Sequence, residues 1–303
     1  MKLNNAVIGA VALMSVHGCI SQSGEICSQR YPELNWGFTT QNFLGALTVS
    51  VENSKELISY AKKQGYSWIE LRDPDASLST DDCKIIASFA RSNAIQVNYS
   101  VQRGLLSADF MAILNRAVQN SAVFDGPGFV RALALKVEGQ HGWSESEFKR
   151  AVTIANQAAV LANQQGLRFT VENADVALDG RDQPYYGMWE FLEQTSPEVL
   201  LQLDTANLFT GSVAVNPAQA EQFLRNFSSR ISYLHLKTAA DGQALQSLQD
   251  NPLAFDTILD IAKQAGAHYI AIELNPGSAE LPQIYQYMES SIEYLTQQDI
   301  LEQ

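Results

Sequence analysis

The sequence predicts a single (β/α)8 TIM barrel of the α/β class, preceded by an N-terminal signal and a short tether. Three observations carry that expectation. From Leu34 onward, short β-rich runs alternate with longer amphipathic stretches, the mark of repeated βα units and a parallel sheet. Eight such units can be counted, each roughly 30–40 residues long, and eight close a barrel. No glycine-rich phosphate turn follows the first strand, which disfavours the competing doubly wound open sheet.

The strand candidates, in order, are Asn35–Phe38, Trp68–Leu71, Gln96–Tyr99, Val130–Leu135, Arg168–Glu172, Leu200–Asp204, Ile231–His235 and Tyr269–Glu273. Between them lie amphipathic stretches such as Ser54–Gln64, Thr80–Ser92, Glu145–Gln165, Pro217–Phe227 and Leu253–Gln264. Gly65, Gly166 and Gly266 stand where a helix C-terminus favours glycine, and a strand follows each within a few residues.

The first residues follow a different pattern. Met1 to Asn5 carry one positive charge, and Ala6 to Val16 form an apolar run too short to span a bilayer. Residues 1–18 therefore read as a signal peptide. Val16-His17-Gly18-Cys19 resembles a bacterial lipobox, which makes Cys19 the expected lipidation site and the chain an exported lipoprotein on the periplasmic face. The alternative is an ordinary cleaved secretory signal, with a periplasmic or secreted product. The mass of the mature N-terminus distinguishes the two. Residues 19–33 read as a tether and 34–303 as the barrel domain. In an oxidising compartment Cys27 and Cys83 have the option of pairing, though two cysteines at this spacing say little.

Of the 303 residues 46% are hydrophobic and 17% charged, enough apolar material for a full core. The net charge of -13 repels phosphate backbones, so nucleic acid is not expected as a partner. A small-molecule ligand suits this balance. Contact with a membrane is expected only through the lipid anchor, and homo-oligomerisation stays open.

In a barrel of this kind the chemistry sits at the C-terminal ends of the strands. The fifth strand ends in Glu172-Asn173, the sixth in Asp204-Thr205-Ala206-Asn207, the seventh in His235-Leu236-Lys237 and the eighth in Glu273-Leu274-Asn275. Glu172, Asp204, His235 and Glu273 are separated by 32, 31 and 38 residues, one βα unit each time. Taken singly, an Asp before a helix is ordinarily a cap. Three carboxylates and an imidazole converging at one mouth repel each other unless a cation sits among them. An O3N set suits one divalent ion, Mn²⁺, Mg²⁺, Co²⁺ or Zn²⁺.

This run of strand ends resembles the xylose isomerase-like TIM-barrel superfamily, in its sugar phosphate isomerase/epimerase branch. The resemblance spans essentially Leu34 to Gln297. It implies that Glu172, Asp204, His235 and Glu273 hold the metal, with Glu172 and Glu273 as the catalytic acid/base pair. The implied activity is a metal-dependent isomerase or epimerase that takes a proton from a sugar or keto-sugar and passes through an enediolate. Lys237 steadies a substrate oxygen in this reading, or else pairs with a neighbouring carboxylate. Glu70 resembles a strand-two carboxylate common in the family and, by alternation with Ile69 and Leu71, points into the barrel. It joins the expected substrate-binding residues, as does Asn207. His141, in the loop after the fourth strand, is a further candidate substrate contact.

The chain departs from the family pattern in three places. Thr238 follows His-x-Lys where the family usually keeps Asp. Asn207 stands three residues past the metal Asp, where the epimerases carry a substrate-contacting His. No arginine follows the seventh strand closely. These changes spare the metal set and open the substrate and reaction. A lyase or dehydratase acting on an exported keto-sugar or keto-glycoside begins with the same proton abstraction, and a non-enzymatic sugar-binding lipoprotein is a further alternative. The same fold hosts endonuclease IV, which needs three zinc ions and several more histidines. Apart from His235 the chain has only His17, His141 and His268, and His268 is expected on the surface at the barrel bottom.

Overall fold

The computed structural model describes residues 26–134, 141–181, 183–210 and 214–302. The expected signal, Cys19, residues 19–25 of the expected tether and the end of the fourth strand candidate at Leu135 lie outside the described residues. Among those described, no helix is long and apolar enough to cross a membrane.

Eight parallel strands form one sheet: β1 (Asn35–Thr39), β2 (Trp68–Arg72), β3 (Gln96–Ser100), β4 (Phe129–Leu133), β5 (Arg168–Glu172), β6 (Val199–Asp204), β7 (Ile231–Leu236) and β8 (Tyr269–Ile272). Their order is β3-β2-β1-β8-β7-β6-β5-β4, with β1 and β8 paired in parallel. The seam between β3 and β4 is completed differently. The Phe129 N–H donates to Asn98 Oδ1, the Leu133 N–H to the Arg103 carbonyl, and the Leu105 N–H to the Leu133 carbonyl. An asparagine side chain and the start of the following loop thus take over the ladder where the backbones diverge.

Eight helices alternate with the strands: α1 (Val51–Gln64), α2 (Thr80–Ser92), α3 (Phe110–Ser121), α4 (Glu145–Asn163), α5 (Met188–Gln194), α6 (Pro217–Asn226), α7 (Phe255–Gln264) and α8 (Leu281–Gln297). Their starts follow from local chemistry. Ser79 and Ser144 close capping boxes with Asp82 and Glu147, and Asn216 does so with Gln219 ahead of Pro217. Gly65, Gly166 and Gly266 all have left-handed φ values of 80°, 72° and 76°, as expected at helix ends.

Side chains alternate across each strand. Ile69, Leu71, Val97, Val130, Leu203 and Leu234 join the large apolar shell under the helices. Trp68, Phe129, Tyr233 and Ala271 form a separate inner cluster, with the Phe129 and Tyr233 rings stacked at 5.0 Å. This aromatic plug fills the lower barrel. Gly37 permits it, because a Cβ there would lie 2.4 Å from the Trp68 carbonyl oxygen.

Residues 26–33, read from sequence as tether, belong to the domain. Cys27 bridges to Glu302, the Ile26 N–H donates to the Gly65 carbonyl, and Tyr31 is fully buried with its hydroxyl donating to Asp260 Oδ1 at 3.0 Å. Tyr31, with Ile26, supplies the apolar surface that seats this run on the barrel. Cys83 is buried on α2, and no disulfide joins it to Cys27.

Candidate active site

Polar side chains stitch the strand ends together before any chemistry is considered. Asn173 accepts from the Asp204 N–H at 2.8 Å and donates to its carbonyl at 3.0 Å. Thr205 makes the same two-way bond to Lys237, at 2.9 and 2.6 Å. Asn42 bonds the Leu274 N–H and the Ile272 carbonyl, and Thr40 accepts from the Arg72 N–H. The residues beside the expected ligands, in Glu-Asn and Asp-Thr, therefore fix the strands that carry those ligands.

Glu172, Asp204 and His235 come together as expected. Each offers one ligand atom, and these atoms lie within 4.8 Å of one another, all three residues being buried. Glu273 stands beside this group, with Oε2 2.7 Å from His235 Nδ1 and Oε1 2.8 Å from Lys237 Nζ. Asp204 Oδ1 accepts from the backbone N–H groups of Ala206 and Asn207. Asp204 Oδ2, both His235 nitrogens and Glu273 Oε2 are buried without a hydrogen bond of acceptable angle. Orphaned polar atoms of this kind are costly unless something satisfies them. Two carboxylate oxygens and an imidazole, aimed into one space, fit a divalent ion, and the donor set passes that test.

Asn207 is also in place, its Nδ2 donating to Glu172 Oε1 at 3.4 Å. Lys237 lies 3.7 Å from Asp204 Oδ2 as well as against Glu273, and it alone among these charged side chains keeps noticeable exposure, 14%. Glu70 does point into the barrel. It is fully buried, and its oxygens meet the Tyr233 hydroxyl, Arg72 and His235 Nε2 at 2.8, 3.2 and 2.9 Å. His141 lies farther out, its ring against Tyr185 and its carbonyl accepting from the Ala177 N–H. Part of its loop, 135–140, is outside the described residues. His268 is exposed before β8, as expected. Thr238 bonds both the N–H and the carbonyl of Gln249 and so secures the chain after β7.

Sequence reading missed two buried cations. Arg131 is completely buried and pairs with Glu172 Oε2, while also donating to Gln202 Oε1 and the Val101 carbonyl. Arg72 pairs with Glu70 and lies 3.6 Å from Glu273 Oε2. The signal was available: Arg131 interrupts the apolar run Phe129-Val130-Arg131-Ala132-Leu133, and Arg72 sits two residues after Glu70, on the same face.

These neighbours set the electrostatics. Burial works against the charge on Glu273 and Glu70, yet Lys237 and His235 hold the first well below the usual carboxylate range, and Arg72 and His235 the second. Burial pushes Asp204 up to about 6 against the pull of Lys237. His235 is lowered by burial but raised more by Glu70 and Glu273, to about 9. The raised His235 stabilises the ion-free fold below its ordinary value of 6.5, and that contribution is lost as pH rises through about 9. Asp204, also raised, loses its contribution as pH rises through about 6. The depressed Glu70 and Glu273 act oppositely and lose theirs as pH falls through the carboxylate range. With chelator present, stability is expected to peak between about pH 4.5 and 5 and to fall by on the order of 3 kcal/mol between about pH 6.5 and 9 through His235 alone. Urea unfolding across that range checks it; a stability that stays flat or rises between these limits contradicts the charged His235.

Neither a protein-family model nor a curated protein matches the sequence. Solved structures do match in shape. D-allulose 3-epimerase from Methylomonas sp. aligns with a TM-score of 0.65 at 15% identity, over 87% of this chain and 97% of that one. A xylose isomerase-like TIM-barrel protein from Mycobacterium smegmatis, in complex with magnesium, gives 0.66 at 14%, over 88% and 98%. A family 2 AP endonuclease from Brucella melitensis gives 0.59 at 13%, over 87% and 97%. Such different activities at such low identity establish shape and leave function to the site. The chain has the α/β TIM-barrel fold that these proteins share.

Proposed function

We propose that this chain is a divalent-metal-dependent isomerase or epimerase of a sugar or keto-sugar, working by proton abstraction next to a carbonyl. The observation that carries the reading is the convergence of Glu172, Asp204 and His235 with Glu273 beside them, with Asp204 Oδ2, the His235 nitrogens and Glu273 Oε2 buried and unsatisfied. Likeness in shape to a D-allulose 3-epimerase and to a magnesium-bound barrel supports it. Glu172, Asp204 and His235, with Glu273 adjacent, would hold the ion. Bound there, a divalent ion supplies Lewis-acid stabilisation of the oxyanion formed when the proton leaves.

The chain's own residues do the rest. Glu273, kept ionised by Lys237 and His235, starts as the proton acceptor. Return of a proton falls to Glu172, whose Oε1 is steadied by Asn207 and whose Oε2 is held by Arg131; it must enter the cycle already protonated, and after transfer Glu273 releases its proton to solvent while Glu172 regains one. Lys237, partly exposed at the mouth, is placed to hold a substrate oxygen. The near-complete burial of the other groups excludes water from them and strengthens each charge interaction.

Incubating the metal-loaded protein with a panel of keto-sugars in deuterated water tests this. Solvent deuterium is expected to appear at the carbon next to the carbonyl, with the epimer or isomer as product. Elimination products would make the chain a lyase, and no exchange with any keto-sugar that binds would make it a binding protein.

A further inference from the structure

We infer that Glu70 is a positioning residue: it accepts a hydrogen bond from the Nε2–H of His235 and so leaves the Nδ1 lone pair as the one that binds the ion. The inference rests on the metal reading above, and concerns how this chain prepares its one imidazole ligand.

The layering of the barrel decides which nitrogen faces which way. Tyr233 and His235 lie two residues apart on β7, both inward, and the Tyr233 ring belongs to the aromatic plug below the site. Glu70 Oε1 accepts from the Tyr233 hydroxyl at 2.8 Å, so Glu70 occupies the level between the plug and His235. Its Oε2 lies 2.9 Å from His235 Nε2, within hydrogen-bonding distance but off the hydrogen-bonding direction in the ion-free structure. On the other side of the ring, Nδ1 is 2.7 Å from Glu273 Oε2, and Glu273 in turn meets Lys237 at the mouth. Nε2 therefore faces Glu70 above the plug, and Nδ1 faces Glu273 on the side of the mouth.

An imidazole that binds a cation through one nitrogen must carry its proton on the other. Here the ring is fully buried, so that proton needs a protein acceptor. Glu70 is the carboxylate within reach of Nε2. The opposite tautomer would turn the Nε2 lone pair toward an ionised carboxylate and place a proton where the ion is to sit. Glu70 is itself held rigidly, by Tyr233 on Oε1 and by Arg72, 3.2 Å away, on Oε2. A carboxylate behind a metal-binding histidine fixes ring orientation and raises ligand basicity, and losing it ordinarily costs 10–100-fold in metal affinity.

The test uses Zn²⁺, because it is diamagnetic, and reads binding and tautomer rather than turnover. Titration calorimetry on the full chain is expected to show Glu70→Gln binding Zn²⁺ about 10–100-fold more weakly than wild type. In ¹⁵N-edited spectra of Zn²⁺-loaded wild type, His235 is expected to show a protonated Nε2 and a metal-shifted Nδ1. Tyr233→Phe, which removes only the hydroxyl on Oε1, is expected to weaken Zn²⁺ by a smaller factor while preserving that tautomer. A wild-type His235 metallated at Nε2 overturns the proposal, as does an unchanged affinity in Glu70→Gln. If Glu70→Gln fails to fold, the wild-type tautomer alone decides. Wild type that binds no Zn²⁺ sinks the metal reading itself, which is a different result from wild type and variant binding alike.

Discussion

Replacing Arg131 by Met is expected to lower the unfolding free energy of the ion-free protein by about 3–5 kcal/mol, the usual cost of breaking a buried ion pair from one side. Arg131 is 0% exposed, and its guanidinium faces Glu172, Gln202 and the Val101 carbonyl. Met fills much of the volume but leaves the Glu172 carboxylate buried with Asn207 as its remaining side-chain donor. The effect should therefore come from charge rather than from a cavity. Two further measurements separate these causes. Adding Glu172→Gln to Arg131→Met should restore much of the stability, because the stranded charge is gone, and a double-mutant cycle measures the coupling. Adding a divalent ion should also restore part of it, since the ion supplies positive charge to the same carboxylate. Urea unfolding with chelator and with Mn²⁺ gives both readings. A loss below about 1 kcal/mol with chelator would mean that Glu172 finds water or another cation.

The same pair shows what the sequence could and could not tell. Strand positions were legible because inward and outward faces differ in kind: Ile69 and Leu71 pack under helices while Trp68, Glu70 and Arg72 line the interior. Polar residues at the strand ends were legible because few physical reasons put Glu172, Asp204, His235 and Glu273 one βα unit apart. Partners were not. Nothing in the spacing says that Arg131, on β4, crosses to Glu172 on β5, or that Tyr233 reaches Glu70, 163 residues away. Such contacts depend on the three-dimensional stagger of the barrel. Helices without a side-chain cap were also weakly marked, as with α3 after Asp109 and the seven-residue α5. The residues called a tether look polar in sequence, but Tyr31 buries its ring against the arginine and lysine side chains of Arg30 and Lys263. An isolated tyrosine in a polar run says nothing about whether a domain lies within reach.

Glu172→Gln and Glu273→Gln are each expected to reduce turnover by about 10²–10⁴-fold while substrate binding largely persists. The amide keeps the shape and one oxygen but cannot accept a proton at neutral pH. The two variants should differ in how they fail. At position 273 the lost charge also serves Lys237 at 2.8 Å, His235 Nδ1 at 2.7 Å and Arg72 at 3.6 Å. Glu273→Gln therefore leaves three cationic groups less compensated, and its ion-free form should be the less stable. At position 172 the neighbouring cation is Arg131, and an amide oxygen can still accept from it, so Glu172→Gln should fold more nearly as wild type. Each variant needs its metal content measured beside its rate, because an amide is a poorer ligand than a carboxylate. Glu145→Gln, on the exposed start of α4 and paired only with Lys149 among its ion pairs, is the control and should leave rate and metal content alone. If either site variant turns over at a near-normal rate with full metal occupancy, proton transfer belongs to another group. Lys237, 2.8 Å from Glu273, is then the first to replace, because among the cationic groups around Glu273 it is the one partly open to the mouth.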